Sequence, residues 1–131
     1  MEHGLVFQPK FDANGLLAAI VCDAASGDVL MLGWMNADAL RLTIETRVAH
    51  FYSRSRRKLW KKGEESGNVL TVIEIRTDCD QDALVVRATA GGDGVACHTG
   101  ARSCFYRAVT LGTPPGPGLA LYLAGDQPVA K

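Results

Sequence analysis

The chain has 131 residues, 47% hydrophobic and 21% charged, which gives room for one domain with a real core, too little chain for two ordinary ones, and too much apolar content for disorder. Fourteen basic residues balance fourteen acidic ones, so no global field draws the chain to nucleic acid or to an acidic membrane. Any charged partner must be met by a local cluster.

The first ten residues, MEHGLVFQPK, lack an apolar segment behind a basic start, so no secretory signal is read there. No apolar run approaches the roughly 18–20 residues of a spanning helix. The expected setting is the cytoplasm, with no membrane partner, where the four cysteines at 22, 79, 97 and 104 are thiols or metal thiolates rather than a disulfide framework. Cys22, inside LLAAIVCD (16–23), reads as a small core residue. That apolar run ends at ASGD and is followed by VLMLGWM (29–35), a pattern that predicts a β-hairpin over 16–35. Asn36 then supplies an N-cap residue and Asp38 an acid in the first turn. Ala39, Leu40, Thr43 and Ile44 recur at helical spacing, predicting an amphipathic helix over 36–46.

AHFYS (49–53) predicts another strand, ending in the polar, basic stretch SRSRRKLWKKGEESGN (53–68). NVLTVIEIR (68–76) and ALVVRATA (83–90) are strand-like and flank DCDQD (78–82), which reads either as a strand with three acids on one face or as a hairpin turn. GGDG (91–94) breaks the chain, CFYRAV (104–109) predicts a final strand, and the Pro/Gly-rich remainder predicts an irregular tail. One helix among about six strands, not alternating with them, predicts a single α+β domain with a mostly antiparallel sheet, set at 1–111 with a tail over 112–131.

Three groups of residues could carry chemistry. Asp78, Asp80 and Asp82 offer three hard oxygens of the kind Mg2+ or Ca2+ takes, and like charges this close repel unless a cation or solvent relieves them. The stretch is not an EF-hand, since the sixth position is Ala83 rather than Gly and the twelfth is Thr89 rather than Glu. An acidic, solvated turn reads equally well. Cys97 and Cys104 flank His98 in CHTGARSC; thiolates and imidazole suit Zn2+, although the spacing is looser than a zinc knuckle. Adding Cys79 gives three thiolates, which leave the fourth tetrahedral position open, as catalysis requires. The third group is the basic stretch, with Arg54, Arg56, Arg57, Lys58, Lys61 and Lys62 interleaved with serines and Trp60. It fits a stacking nucleic-acid surface, a phosphate pocket for a small nucleotide, or a solvated loop.

Taken together, MLGWMNADAL, FYSRSRRKLWKKGEESGN, IRTDCDQDAL and ACHTGARSCFYR resemble the phosphoribosyl-AMP cyclohydrolases of histidine biosynthesis, in order from about Gly15 to Arg107. The resemblance implies a hydrolase that opens the purine ring of N1-(5-phosphoribosyl)-AMP at N1–C6 to an imidazole carboxamide ribotide, the third step of that pathway. It implies an intertwined homodimer with active sites at the subunit interface, and one zinc and one magnesium per subunit. Cys79 from one subunit with Cys97 and Cys104 from the other would hold the zinc, and Asp78, Asp80 and Asp82 the magnesium. Ser53, Arg54, Ser55, Arg56 and Lys61 become phosphate and ribose contacts, Trp60 a stacking or packing residue, and His98 the acid/base group. The chemistry agrees, because zinc lowers the pKa of water from about 15.7 to about 7. Many relatives carry His where this chain has Asn68, which leaves proton transfer to His98 or to Glu64 and Glu65. Some relatives continue into a pyrophosphohydrolase domain; ending at Lys131, this chain is expected to be monofunctional. The competing expectation is a non-catalytic, zinc-dependent nucleic-acid-binding module with 53–62 as its basic face.

Overall fold

A computed structural model describes residues 4–64, 67–92 and 101–124. The apolar run of the N-terminal third forms β1 (Leu17–Asp23) and β2 (Val29–Met35), an antiparallel pair joined across Ala24–Asp28. In β1 the alternate residues Leu17, Ala19 and Val21 are fully buried, as expected of a strand with one face on a core. The helix α1 (Ala37–Thr46) starts where Asn36 Oδ1 accepts the Ala39 N–H at 2.8 Å, satisfying one of the orphan donors of the first turn. It ends at Arg47, whose left-handed backbone (φ 62°) turns its N–H onto Thr43 O. Ala39, Leu40 and Thr43 are buried beneath it, whereas Ile44, expected on the same face, is half exposed.

After the helix, β3 (His50–Ser53) and β4 (Lys58–Lys61) form an antiparallel hairpin. Sequence reading missed β4, because KLWK lies in a run of charges with no alternating apolar face. β5 (Leu70–Thr77) and β6 (Ala83–Ala90) follow as predicted and pair antiparallel. The main sheet has the order β2-β1-β6-β5, with β1 and β6 parallel and every other pair antiparallel. The α+β, mostly antiparallel, single-domain expectation therefore stands. DCDQD resolves to the turn between β5 and β6, not to a strand. The final strand is shorter than predicted: β7 is Arg107–Val109, and it pairs with β8 (Leu121–Leu123), a strand inside the stretch read as irregular.

One face of the sheet meets α1 and the β3–β4 hairpin in a core built on Leu17, Val21, Met35, Leu70, Leu84, Val86 and Phe51. Phe51 lies directly on β2: a Cβ built on Gly33 would come within 2.5 Å of Phe51 Cδ1. Gly33→Ala should therefore cost about 1–3 kcal/mol of stability through overpacking, read as a lowered urea midpoint. An unchanged midpoint would mean that the ring moves aside freely.

The other face leaves Val29, Leu32 and Trp34 of β2 at least partly exposed. No helix among the described residues is long and apolar enough to cross a membrane.

Candidate active site

The β5–β6 turn is held by its own backbone. Asp78 Oδ1 accepts the N–H groups of Asp82 (3.0 Å) and Ala83 (3.2 Å), and Gln81 takes a left-handed conformation (φ 61°). Gln81 is itself buried and tied to the N-terminal segment: its Oε1 accepts the Gln8 N–H, its Nε2 donates to Val6 O, and its carbonyl accepts the Lys10 N–H. This curled backbone brings Asp78, Asp80 and Asp82 to one point, each offering a carboxylate oxygen within 4.8 Å of the others. The strand alternation that first drew attention to the three acids is not what converges them.

The electrostatic consequence is visible in the pair at its ends. Hydrogen bonding to Asp78, then to Asp80, with desolvation and like-charge repulsion behind it, pushes the Asp82 carboxyl up to about 6. For Asp78 desolvation acts upward but is outweighed by hydrogen bonds from the Asp82 and Asp80 carboxyls and from backbone N–H groups, which hold it below the ordinary range. Three converging oxygens, one of which holds its proton more tightly than an ordinary carboxyl, are a donor set suited to a hard cation, whose charge relieves the repulsion among them.

Cys79 is exposed on the same turn. Cys104 is elsewhere. Its N–H donates to Leu30 O at 2.6 Å, and Ser103 Oγ donates to Val29 O at 2.6 Å, so 103–104 lies along β2 near its start. The register fixes the separation. Ala83, which follows the acidic turn, pairs with Ala18, and Ala18 with Trp34; Leu30 is four residues back along β2. Four residues of strand and two strand spacings put the backbones of Ala83 and Leu30 roughly 15 Å apart, with Cys79 in the turn before Ala83 and Cys104 hydrogen-bonded at Leu30. Sulfurs on one zinc lie within about 4 Å of each other, given Zn–S of about 2.3 Å. Cys97 and His98 lie outside the described residues, as does Glu65.

The basic stretch forms the tip of the β3–β4 hairpin. Ser53 Oγ accepts the Arg56 N–H at 3.2 Å, and Arg57 closes the turn with φ 51°. The hairpin leans on β2 and encloses a cleft of about 660 Å³, a size that takes a nucleotide-scale ligand. Ser53, Arg54, Ser55, Arg56 and Trp60 line it together with Leu32, Gly33, Trp34 and Tyr52. Lys61 does not line the cleft. Trp60 is tilted against Phe51 with ring centroids 5.0 Å apart, so it braces the hairpin on the core. Sequence reading passed over Trp34 and Tyr52, since each lies within an apolar strand pattern with no signal that it faces a cleft.

Asn68 is buried. A Cβ on Gly63 (φ 84°) would sit 2.4 Å from its carbonyl carbon, and one on Gly92 (φ 59°) would sit 2.1 Å from its Oδ1. The Asn68 backbone lies against Gly63 and its side chain against Gly92, two glycines that have to be glycine, both for φ and for space.

A family model described as phosphoribosyl-AMP cyclohydrolase matches residues 31–106. The chain belongs to the phosphoribosyl-AMP cyclohydrolase family. Proteins of that name from Brucella abortus, Brucella anthropi and Agrobacterium fabrum are 56%, 61% and 59% identical to it. The alignments cover 96%, 83% and 85% of this chain and 88%, 77% and 74% of those proteins. Membership in a cyclohydrolase family decides between the two expectations drawn from the sequence in favour of an enzyme acting on a small nucleotide, and the cleft along β2, with its serines and arginines, is a feature of the described residues on that scale.

Proposed function

We propose that the chain hydrolyses the N1–C6 bond of N1-(5-phosphoribosyl)-AMP in histidine biosynthesis, as a homodimer using zinc and magnesium. One water is added across that bond: the oxygen ends on C6 as the carboxamide carbonyl, and N1 leaves with a proton. The observation that supports the dimeric reading is the register of the sheet, which sets Ala83, after the Cys79 turn, roughly 15 Å from Leu30, where Cys104 is anchored. Zinc held by both requires Cys79 of one chain to approach Cys104, and Cys97, of another.

That arrangement also places the acids. Asp78 and Asp80 flank Cys79, so the partner's acidic turn arrives with its thiolate at the Leu30 end of β2, two residues from Leu32 of the cleft. Arg54 and Arg56, with the Ser53 and Ser55 hydroxyls, hold the substrate phosphates, and Asp78, Asp80 and Asp82 would hold magnesium, which would supply positive charge for those phosphates. When bound, zinc supplies the acidity that makes water nucleophilic at neutral pH. His98, next to Cys97 in sequence, carries the proton to N1. The half-exposed Val29 and Leu32 of β2, with Val109, Leu121 and Leu123 of the β7–β8 hairpin, supply apolar surface of the kind a subunit interface buries.

The test is to follow imidazole carboxamide formation by absorbance with purified protein before and after chelation. Turnover that stops on chelation and returns with zinc plus magnesium is expected. Undiminished turnover by protein shown to be free of zinc would overturn the metal assignment, and no turnover in any metal would overturn the activity.

A further inference from the structure

The Arg54 guanidinium lies over the Trp34 ring, 4.6 Å from its centroid. Both side chains line the cleft, and Arg54 comes from the hairpin tip, while Trp34 is held in β2, where it pairs with Ala18 of β1. The platform is fixed and its present occupant is on a turn. Trp34 neighbours Gly33, whose position faces Phe51, so by strand alternation the indole is on the side away from that core contact. An aromatic face in a cleft that holds a planar, delocalised cation is selective for that chemistry.

We propose that the face of Trp34 is the platform for the six-membered ring of the substrate, with Arg54 leaving it for phosphate when substrate binds. This rests on the reading of the substrate as an N1-substituted adenine. N1-substitution turns adenine into an amidine base that carries a proton near neutral pH. Its ring is then a planar cation with charge shared over carbon and two nitrogens, close in shape and charge distribution to the guanidinium that occupies the site in the free chain. Unsubstituted adenine is neutral and gains only stacking. Trp34 is thereby a specificity residue: it favours the alkylated purine over AMP, the abundant nucleotide from which it must be told apart.

The probes are 1-methyladenosine 5′-monophosphate and AMP, titrated calorimetrically into full-length, metal-loaded protein at neutral pH. The wild type should bind the methylated nucleotide roughly three- to thirtyfold more tightly, the span of a cation–π contact. Trp34→Leu should bring the two affinities within about twofold, and Trp34→Phe should retain part of the preference. The Phe variant keeps an aromatic ring on the strand, and a matching circular dichroism spectrum certifies the fold.

A preference that survives intact in Trp34→Leu would trace to the acidic turn and overturn the proposal, as would equal affinities in the wild type or no binding of either nucleotide. Failure here is separable from failure of the functional reading. Ring opening by the wild type with an unaltered preference in Trp34→Leu rejects the platform alone, whereas a Trp34-dependent preference without ring opening rejects the reaction and keeps the site.

Discussion

Replacing Cys104 with serine is expected to remove the zinc and to lower kcat/KM by roughly a thousandfold or more. A metal ion supplies several kcal/mol of stabilisation to a developing charge, and each tenfold in rate is about 1.4 kcal/mol. The fold should survive. Two bonds that hold residues 103–104 on β2, the Cys104 N–H on Leu30 O and the Ser103 hydroxyl on Val29 O, do not use the thiol. Elemental analysis alongside a thermal melt therefore separates loss of metal from loss of structure. The serine variant should melt as a folded protein, with a midpoint matching that of zinc-stripped wild type, because ligands stabilise only the state that binds them. A variant that kept both its zinc and its rate would remove Cys104 from the ligand set.

The residues that were legible in the sequence are those whose local pattern is also their tertiary role. Leu17, Ala19 and Val21 alternate because one side of β1 faces the core, and Asn36 caps a helix because an asparagine before an amphipathic run can do little else as well. β4 was hidden for the converse reason: Lys58–Lys61 is a strand through its pairing with His50–Ser53, and nothing local distinguishes it from a charged loop. β8 was hidden because three apolar residues between prolines and glycines carry no period. In the candidate site, the three acids could be picked out from the sequence, while their convergence could not. Asp78, Asp80 and Asp82 meet because Gln81 takes a positive φ and is tied down by Val6 and Gln8, residues more than seventy positions away. Trp34 was read as one more apolar strand residue, since the hairpin that makes its surroundings a cleft is brought there by tertiary packing.

The separation of the two thiols yields the second large effect, which is a gain. Cys79→Ser and Cys104→Ser proteins should each be inactive, yet mixing them under conditions of subunit exchange should restore about a quarter of wild-type activity. In the proposed twofold-symmetric dimer each active site would take Cys79 from one chain and Cys104 from the other. In the mixed dimer one site collects both serines and the other collects none. Random assortment makes half the dimers mixed, and half the sites in those are whole. Zinc content should follow the same fraction, which gives a readout independent of the substrate. If each site were instead built within one chain, every site in every dimer would carry a serine and mixing would recover nothing. Exchange must be shown directly, by mass spectrometry of a tagged and an untagged chain, so that a null result counts. The outcome turns on one length: about 15 Å of sheet between the acidic turn and the start of β2, against the roughly 4 Å that two sulfurs on a single zinc allow. If both cysteines hold one zinc, a second chain would have to close that gap, since the β-sheet fixes it within one chain.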